Sequence, residues 1–135
     1  MRSKEFLENL QKLNFPIEEY YILGGGALLL YGIRKETTDI YLSISIKLFK
    51  TLSIEGIIDI DSKDRQGFYK LVDFPNIKVV PNSKEKFKCM RFGDLYLEDI
   101  RQILEYKKNS NKKKDKADIE AINYFLEIYP RYPKF

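Results

Sequence analysis

Three consecutive glycines, at positions 24 to 26, constrain the fold of this chain more than any other feature. Residues 20–23 before them are aromatic and aliphatic, as in a short buried strand. Residues 27–31 after them are apolar, and Gly32 ends this run, which predicts a short helix. Glycine adopts backbone angles that other residues avoid. The pattern therefore predicts a tight turn that leads from a strand directly into a helix.

A second strand is predicted at residues 40–46, where aliphatic side chains alternate with polar or phenolic ones. Side chains two positions apart lie on the same face of a strand, so Asp39 and Tyr41 share the polar face. The aliphatic face consists of Ile40, Leu42, Ile44 and Ile46. Further short apolar runs predict strands at residues 57–60, 68–72 and 77–80.

Helices are predicted before, between and after these strands in the sequence. Apolar residues recur at helical spacing in residues 3–14 and 48–52, and again from about residue 100 and from about residue 114. The pattern of residues 89–97 is ambiguous, with Gly93 marking a turn. This order predicts an α+β fold with a mixed central sheet flanked by helices and with two C-terminal helices. A length of 135 residues, 44% of them hydrophobic, predicts a single domain over residues 1–135.

The composition excludes several kinds of chemistry. The chain has no histidine, which removes imidazole general bases and Ser/His nucleophile pairs. Its single cysteine, Cys89, cannot form an internal disulfide, which favours a reducing environment. Residues 1–10 are interrupted by charges and resemble neither a signal peptide nor a membrane anchor. We therefore expect a cytoplasmic protein without a membrane partner.

Two parts of the chain resemble the nucleotidyltransferase superfamily, and together they span roughly residues 20–125. The first part contains Gly25-Gly26-Ala27, Tyr31-Gly32, Lys35, Thr37 and Asp39-Ile40. The second contains Tyr106-Lys107 and the run Lys114-Asp115-Lys116-Ala117-Asp118-Ile119. The second is similar to the C-terminal helix of small bacterial members, such as abortive-infection toxins and aminoglycoside- or lincosamide-modifying enzymes. The resemblance implies a minimal nucleotidyltransferase-like fold.

The resemblance also implies roles for individual residues. A nucleotide would be held by Gly24, Gly25, Gly26, Lys35 and Thr37, and a metal ion by Asp39. In this family two divalent cations neutralise the triphosphate and activate the attacking hydroxyl. Carboxylates at positions i and i+2 of one strand, roughly 6 to 7 Å apart, can share such ions. A third carboxylate normally comes from a neighbouring strand.

The chain departs from the family pattern at these metal positions. Tyr41 stands where the second carboxylate is expected, and a neutral phenol is a poor ligand for Mg²⁺. The strand at residues 77–80 offers Lys78 in place of an acid, and Lys35 replaces the usual arginine. We therefore predict a degenerate enzyme without a cofactor that binds a protein or ribonucleoprotein. By analogy, it would be an inhibitor or antitoxin linked to phage or mobile-element defence.

The alternative is an active Mg²⁺-dependent nucleotidyltransferase that modifies RNA, a protein or a small molecule. Asp59 and Asp61 form an i, i+2 pair that would then supply the carboxylates, with Mg²⁺ as cofactor. Their structural interpretation is that of solvent-facing residues leading into a charged turn. Asp39 is likewise either a relic metal ligand or a turn residue. The glycines either hold a phosphate or only form a tight turn.

A partner surface is predicted at Tyr41 and in the C-terminal third of the chain. The C-terminal residues concerned are Lys107, Lys112, Lys113, Lys114, Asp115 and Asp118. A basic run in this region, at residues 107–116, would contact nucleic-acid phosphates. The alternative is a solvated loop between two helices, because acids follow the lysines at once.

Overall fold

A six-stranded mixed sheet forms the centre of the computed structural model, which describes residues 1–82, 89–110 and 112–130. The strands are β1 (Tyr20–Ile22), β2 (Ile40–Ser45), β3 (Tyr69–Lys70), β4 (Ile77–Asn82), β5 (Cys89–Phe92) and β6 (Leu95–Glu98). The α-helices are α1 (Ser3–Leu13), α2 (Gly24–Leu30), α3 (Ile46–Ile54), α4 (Ile100–Ser110) and α5 (Lys116–Ile128). Short 3-10 turns occupy Ile17–Glu19 and Lys113–Asp115. The predicted α+β class, mixed sheet and two C-terminal helices are confirmed.

The strand order is β3-β4-β2-β1-β6-β5. β1 pairs antiparallel with β2 and parallel with β6, while β2 pairs parallel with β4. The glycine turn leaves β1, so it lies beside the end of β6 and the residues that follow it. The β2–β4 register places Tyr41 opposite Lys78. The topology thus places β2 and β6 on the two sides of the strand that leads into the glycine turn.

The alternation in β2 has the expected consequence for packing. Ile40, Leu42 and Ile44 are buried, and they join the largest core side chains from both helices and strands. The largest fully buried side chains of the described residues are Phe6, Ile22, Leu28, Ile40, Leu42, Ile44, Leu71, Ile77, Met90, Leu97, Ile100 and Ile122. Ile46 is the exception, because it begins α3. The Ser45 hydroxyl caps that helix by accepting a hydrogen bond from the Leu48 N–H at 3.0 Å.

Two predicted strands are shorter than the sequence suggested, and of residues 68–72 only Tyr69–Lys70 form a strand, β3. Within residues 57–60 only Ile58 makes a bridge, to Leu71. The chain then turns, because the Asp59 carboxylate accepts a hydrogen bond from the Asp61 N–H at 3.1 Å and replaces further ladder pairing. The ambiguous residues 89–97 form a hairpin of β5 and β6. Gly93 lies in its turn with φ +61°, which confirms the predicted turn.

Among the described residues, no helix combines the length and hydrophobicity that a membrane crossing requires.

Candidate functional site

A cleft of about 570 Å³ lies between the glycine turn, β2, the residues before β3, and α4. Its walls are formed by Leu23, Gly24, Gly25, Tyr41, Gln66, Phe68, Glu98, Ile103, Tyr106 and Lys107. The volume is in the range of small-molecule sites, which is about 300–1,000 Å³. Of the residues predicted from sequence, Gly24, Gly25, Tyr41 and Lys107 meet at this one cleft.

Each of the three positions in the turn favours glycine for a different structural reason. Gly24 has φ +50°, a conformation that L side chains rarely adopt. A Cβ on Gly25 would lie 2.5 Å from the guanidinium Nη1 of Arg34. A Cβ on Gly26 would lie 2.6 Å from Cζ of Phe6, in the core. Gly24 and Gly25 line the cleft, whereas Gly26 allows α2 to pack closely against α1.

The first backbone N–H of the glycine turn, that of Gly24, already donates a hydrogen bond to the side chain of Glu98. The Gly24 N–H donates to Oε1 of Glu98 at 2.9 Å, and Nε2 of Gln102 donates to Oε2 at 3.0 Å. Burial raises the pKa of Glu98, although these two hydrogen bonds oppose that shift. A carboxylate of the protein itself thus occupies the first N–H of the turn expected to receive a phosphate.

Tyr41 and Lys78 lie side by side at the two positions where the resemblance led us to expect metal-binding carboxylates. The Lys78 Nζ lies 5.5 Å from the centroid of the Tyr41 ring, in a cation–π contact. Phe68 packs edge-on against the same ring, with centroids 5.0 Å apart. The polar face of β2 is therefore lined by two rings and an ammonium group at this point.

The candidate metal ligands do not converge. Asp39 is half-buried beside β2, and its carboxylate makes no hydrogen bond or ion pair with any described residue. Asp59 and Asp61 are exposed outside β3, so β3, β4 and β2 separate them from the glycine turn. Across residues 1–82, 89–110 and 112–130, no group of at least three Asp, Glu or Cys side chains is arranged to hold a metal ion.

Arg34, and not Lys35, is the basic residue beside the glycine turn. Lys35 is exposed, whereas the Arg34 guanidinium lies against Gly25 and forms an ion pair with Asp118. Thr37 is buried near the same glycine, and its backbone N–H donates to the Met1 carbonyl at 2.9 Å. Arg34 and Thr37, the residues beside the glycine expected to bind a nucleotide, therefore already interact with Asp118 and Met1 of the protein itself.

Lys107, Asp115 and Asp118 form an ion-pair network with Arg34. The Lys107 Nζ lies 3.0 Å from Oδ1 of Asp115 and 3.1 Å from Oδ2 of Asp118. The Ser110 hydroxyl donates to Oδ2 of Asp115 at 2.7 Å. This hydrogen bond, followed by that from Lys107, lowers the pKa of Asp115. Asp115 is only 7% exposed, so these acids connect α4, α5 and the glycine turn and contribute little open surface.

The remaining lysines of the predicted basic run are exposed. Lys112, Lys113 and Lys114 lie between α4 and α5, and none of them forms an ion pair with any described residue. In the sequence they come shortly after Lys107, which lines the cleft and belongs to the ion-pair network. The structure thus separates the run into one internal lysine and several solvent-facing ones.

Two important residues were not identified from the sequence. Glu98 contacts Gly24 across 74 positions, and no sequence pattern indicates such a contact. Arg34 is adjacent to Lys35, so its basic character was visible, but the direction of its side chain depends on how α2 ends. Asp118, the second acid of the Lys-Asp-x-x-Asp run, was the sequence feature that could have indicated a basic partner such as Arg34.

Replacing Glu98 by glutamine should change how stability depends on pH. Because the folded-state pKa of Glu98 is raised above its unfolded value, its contribution to stability is present below about pH 4.3 and is lost as the pH rises through the folded-state pKa. A glutamine at this position does not titrate and keeps an acceptor for the Gly24 N–H. Its amide can also pair with Oε1 of Gln102, which is buried without a partner, if the Gln102 amide rotates.

We therefore expect the free energy of unfolding of Glu98→Gln, relative to that of wild type, to increase from pH 4 to pH 8. Urea unfolding of both proteins at several pH values measures this difference. Glu105→Gln, at an exposed position of α4, controls for the loss of one negative charge. Parallel pH profiles for wild type and Glu98→Gln would contradict the expectation.

The chain matches no known protein family, no curated protein and no solved structure.

Proposed function

We propose that this protein has a nucleotidyltransferase-like fold without catalytic activity, and that it acts by binding a protein or ribonucleoprotein partner. The observation that carries this proposal is the Tyr41–Lys78 pair. Two-metal chemistry needs several carboxylates that share ions a few Å apart. Adjacent strands here present a phenol and an ammonium group instead, and a positive charge at this place disfavours a divalent cation.

The glycine turn supports the same proposal. Glu98 accepts the Gly24 N–H, so a triphosphate would have to displace a carboxylate of the protein from the turn. Asp59 and Asp61, the carboxylates of the active alternative, lie on the other side of three strands. The active alternative thus gains no support from the positions of its residues.

Nucleotide transfer provides the test. Wild-type protein incubated with labelled NTPs, Mg²⁺ or Mn²⁺, and pooled tRNA or cell extract should transfer no label. Calorimetry with ATP should show no metal-dependent binding. Label transfer that disappears in Asp39→Ala, or in a variant with both Asp59→Asn and Asp61→Asn, would establish the active alternative with Mg²⁺ as its cofactor.

A designed gain of metal binding tests the carrying observation directly. The double variant Tyr41→Asp/Lys78→Asp restores carboxylates at two neighbouring positions and should bind Mn²⁺ in calorimetry, whereas wild type should not. Tyr21→Asp/Lys70→Asp is the control, because it makes the same charge change at two positions that β2 and β4 separate and so brings no carboxylates together. Equal Mn²⁺ binding by wild type and the Tyr41→Asp/Lys78→Asp variant would contradict the proposal.

The cellular role and location are finer proposals. The resemblance to abortive-infection toxins supports a role as an inhibitor or antitoxin linked to phage or mobile-element defence. The sequence has a single cysteine, the buried Cys89, which is compatible with a cytoplasmic location. Co-expression with candidate defence systems, scored by restored phage growth, tests the inhibitor role.

A further inference from the structure

We propose that the cleft and the exposed lysines at the end of α4, in the connection after it and at the start of α5 bind single-stranded nucleic acid, with a base in the cleft and the phosphates on the lysines. This inference rests on the proposed binding function and names the chemistry of the partner. We call the exposed lysines the α4–α5 lysine cluster. It consists of Lys108, Lys112, Lys113, Lys114 and Lys116.

The charge of this cluster is not compensated within its own region. Residues 107–118 contain six lysines and two acids, Asp115 and Asp118. Those two acids are paired with Lys107 and with Arg34, which comes from outside the region. All five lysines of the cluster are therefore available to an anion. Lysines at this density bind nucleic-acid phosphates and release counterions.

The cluster adjoins the cleft. Lys107 is a cleft residue, and its Nζ lies 3.0 Å from Asp115. Asp115 in turn stands between Lys114 and Lys116 in the sequence. Lys114 and Lys116 therefore lie close to the cleft residue Lys107, and phosphates bound by them would be near the cleft.

The cleft offers aromatic rings to a base. Tyr106 lines the cleft and is 65% exposed, so one face is open for stacking. Tyr41 and Phe68 line the same cleft. Aromatic side chains beside a basic groove are the usual arrangement for binding single strands, because every base has a face that can stack.

Glu98 determines which part of the nucleotide enters. Its carboxylate lies in the cleft beside the Gly24 N–H, where it repels phosphate. A base is uncharged and is not repelled in this way. The geometry therefore places phosphates outside, on the cluster, and a base inside, which is the reverse of a triphosphate held by the glycine turn.

Fluorescence anisotropy with labelled twelve-nucleotide single strands of RNA and of DNA, titrated with full-length protein at several salt concentrations, tests the proposal. Lys112→Gln/Lys113→Gln/Lys114→Gln should reduce the slope of log K against log salt by about 2, since each single-strand phosphate contact contributes about 0.7. Lys4→Gln/Lys47→Gln/Lys50→Gln removes the same charge from exposed positions on α1 and α3 and should leave the slope nearly unchanged.

Tyr106→Ala should weaken binding by about 5- to 100-fold through the loss of stacking. Tyr124→Ala, at a position on α5 that is also 65% exposed, should have little effect. Thermal unfolding confirms that each variant is folded. Preference for RNA over DNA, or equal binding of both, supports the proposal and identifies the source of the strand.

Three results would overturn it: no binding at low salt, equal effects of the two lysine triples, or equal effects of the two tyrosine variants. Binding of polyglutamate as tight as that of RNA, and insensitive to Tyr106→Ala, would indicate an acidic protein and also overturn it. Label transfer to the bound RNA would refute the inactive-enzyme proposal while leaving binding intact. Absence of RNA binding without label transfer would refute only the present inference.

Discussion

Lys107→Met is expected to lower the free energy of unfolding by about 3 kcal/mol, the lower end of what is measured when one partner of a buried ion pair is removed. The Lys107 side chain is 13% exposed, and its ammonium contacts both Asp115 and Asp118. Methionine fills a similar volume but leaves two poorly solvated carboxylates with Arg34 as the remaining cation. Urea unfolding at pH 7 measures the change.

Lys108→Met is the matched control, because it makes the same substitution at the next, exposed position of α4. It should change stability by less than about 0.5 kcal/mol. Equal losses in the two variants would show that the network does not stabilise the fold. Restoring neutrality in Lys107→Met/Asp115→Asn should recover part of the loss, since Asp118 keeps its ion pair with Arg34 and no unpaired buried charge remains.

The effect of Lys107→Met should also depend on pH in a definite direction. The folded-state pKa of Asp115 is lowered by the Ser110 hydroxyl and then by Lys107. The corresponding stabilisation is present above the unfolded-state pKa, about 3.9, and is lost as the pH falls through the folded-state pKa. The difference between wild type and Lys107→Met should therefore shrink below about pH 4.

Local patterns in the sequence predicted much of the fold because the side chains concerned decide burial. Alternation identified β2, since Ile40, Leu42 and Ile44 had to face the core. The pattern failed at Ile46, where the Ser45 cap turned the chain into α3 before the alternation ended. It also failed at residues 57–60, where Asp59 closed a turn with its own carboxylate. In both places a polar side chain took a backbone hydrogen bond that a strand would have used.

The site was predictable to the extent that it depends on strand pairing. The strand at residues 77–80 was expected to supply the third metal-ligand position and offered Lys78 there, and the parallel β2–β4 register places Lys78 opposite Tyr41. Glu98 was not predictable in this way. Its role depends on where the β5–β6 hairpin ends relative to the glycine turn, which is a tertiary property. The choice between Arg34 and Lys35 likewise depends on the exact backbone direction after α2.

Asp118 joins the glycine turn to the C-terminal helices through its ion pairs with Arg34 and Lys107. The run Lys114 to Ile119 was recognised by its resemblance, and the glycine turn by its own residues. The structure joins them through Arg34, which lies against Gly25 and pairs with Asp118. These ion pairs connect the glycine turn to α4 and α5 beside the cleft.

Gly26→Ala is expected to destabilise the protein by about 2 kcal/mol, within the usual cost of overpacking a core. In a helix interior, alanine is favoured over glycine by about 1 kcal/mol, so helix propensity alone predicts the opposite sign. The new Cβ would lie 2.6 Å from Cζ of Phe6 and 3.0 Å from Cγ2 of Ile22. Both side chains are fully buried, so neither can move aside without displacing α1 or β1. We therefore expect packing to outweigh propensity.

Gly24→Ala separates packing from backbone strain. Gly24 has φ +50° but no atom within 4 Å of an added Cβ, so its cost should be about 1 kcal/mol, that of one left-handed residue. Phe6→Leu makes room at Gly26 alone. In that background Gly26→Ala should cost much less than in wild type, with a coupling of about 1 kcal/mol or more in a double-mutant cycle. If Gly26→Ala is neutral, or if its cost is the same in the Phe6→Leu background, the close contact between α1 and α2 is not what requires glycine at this position.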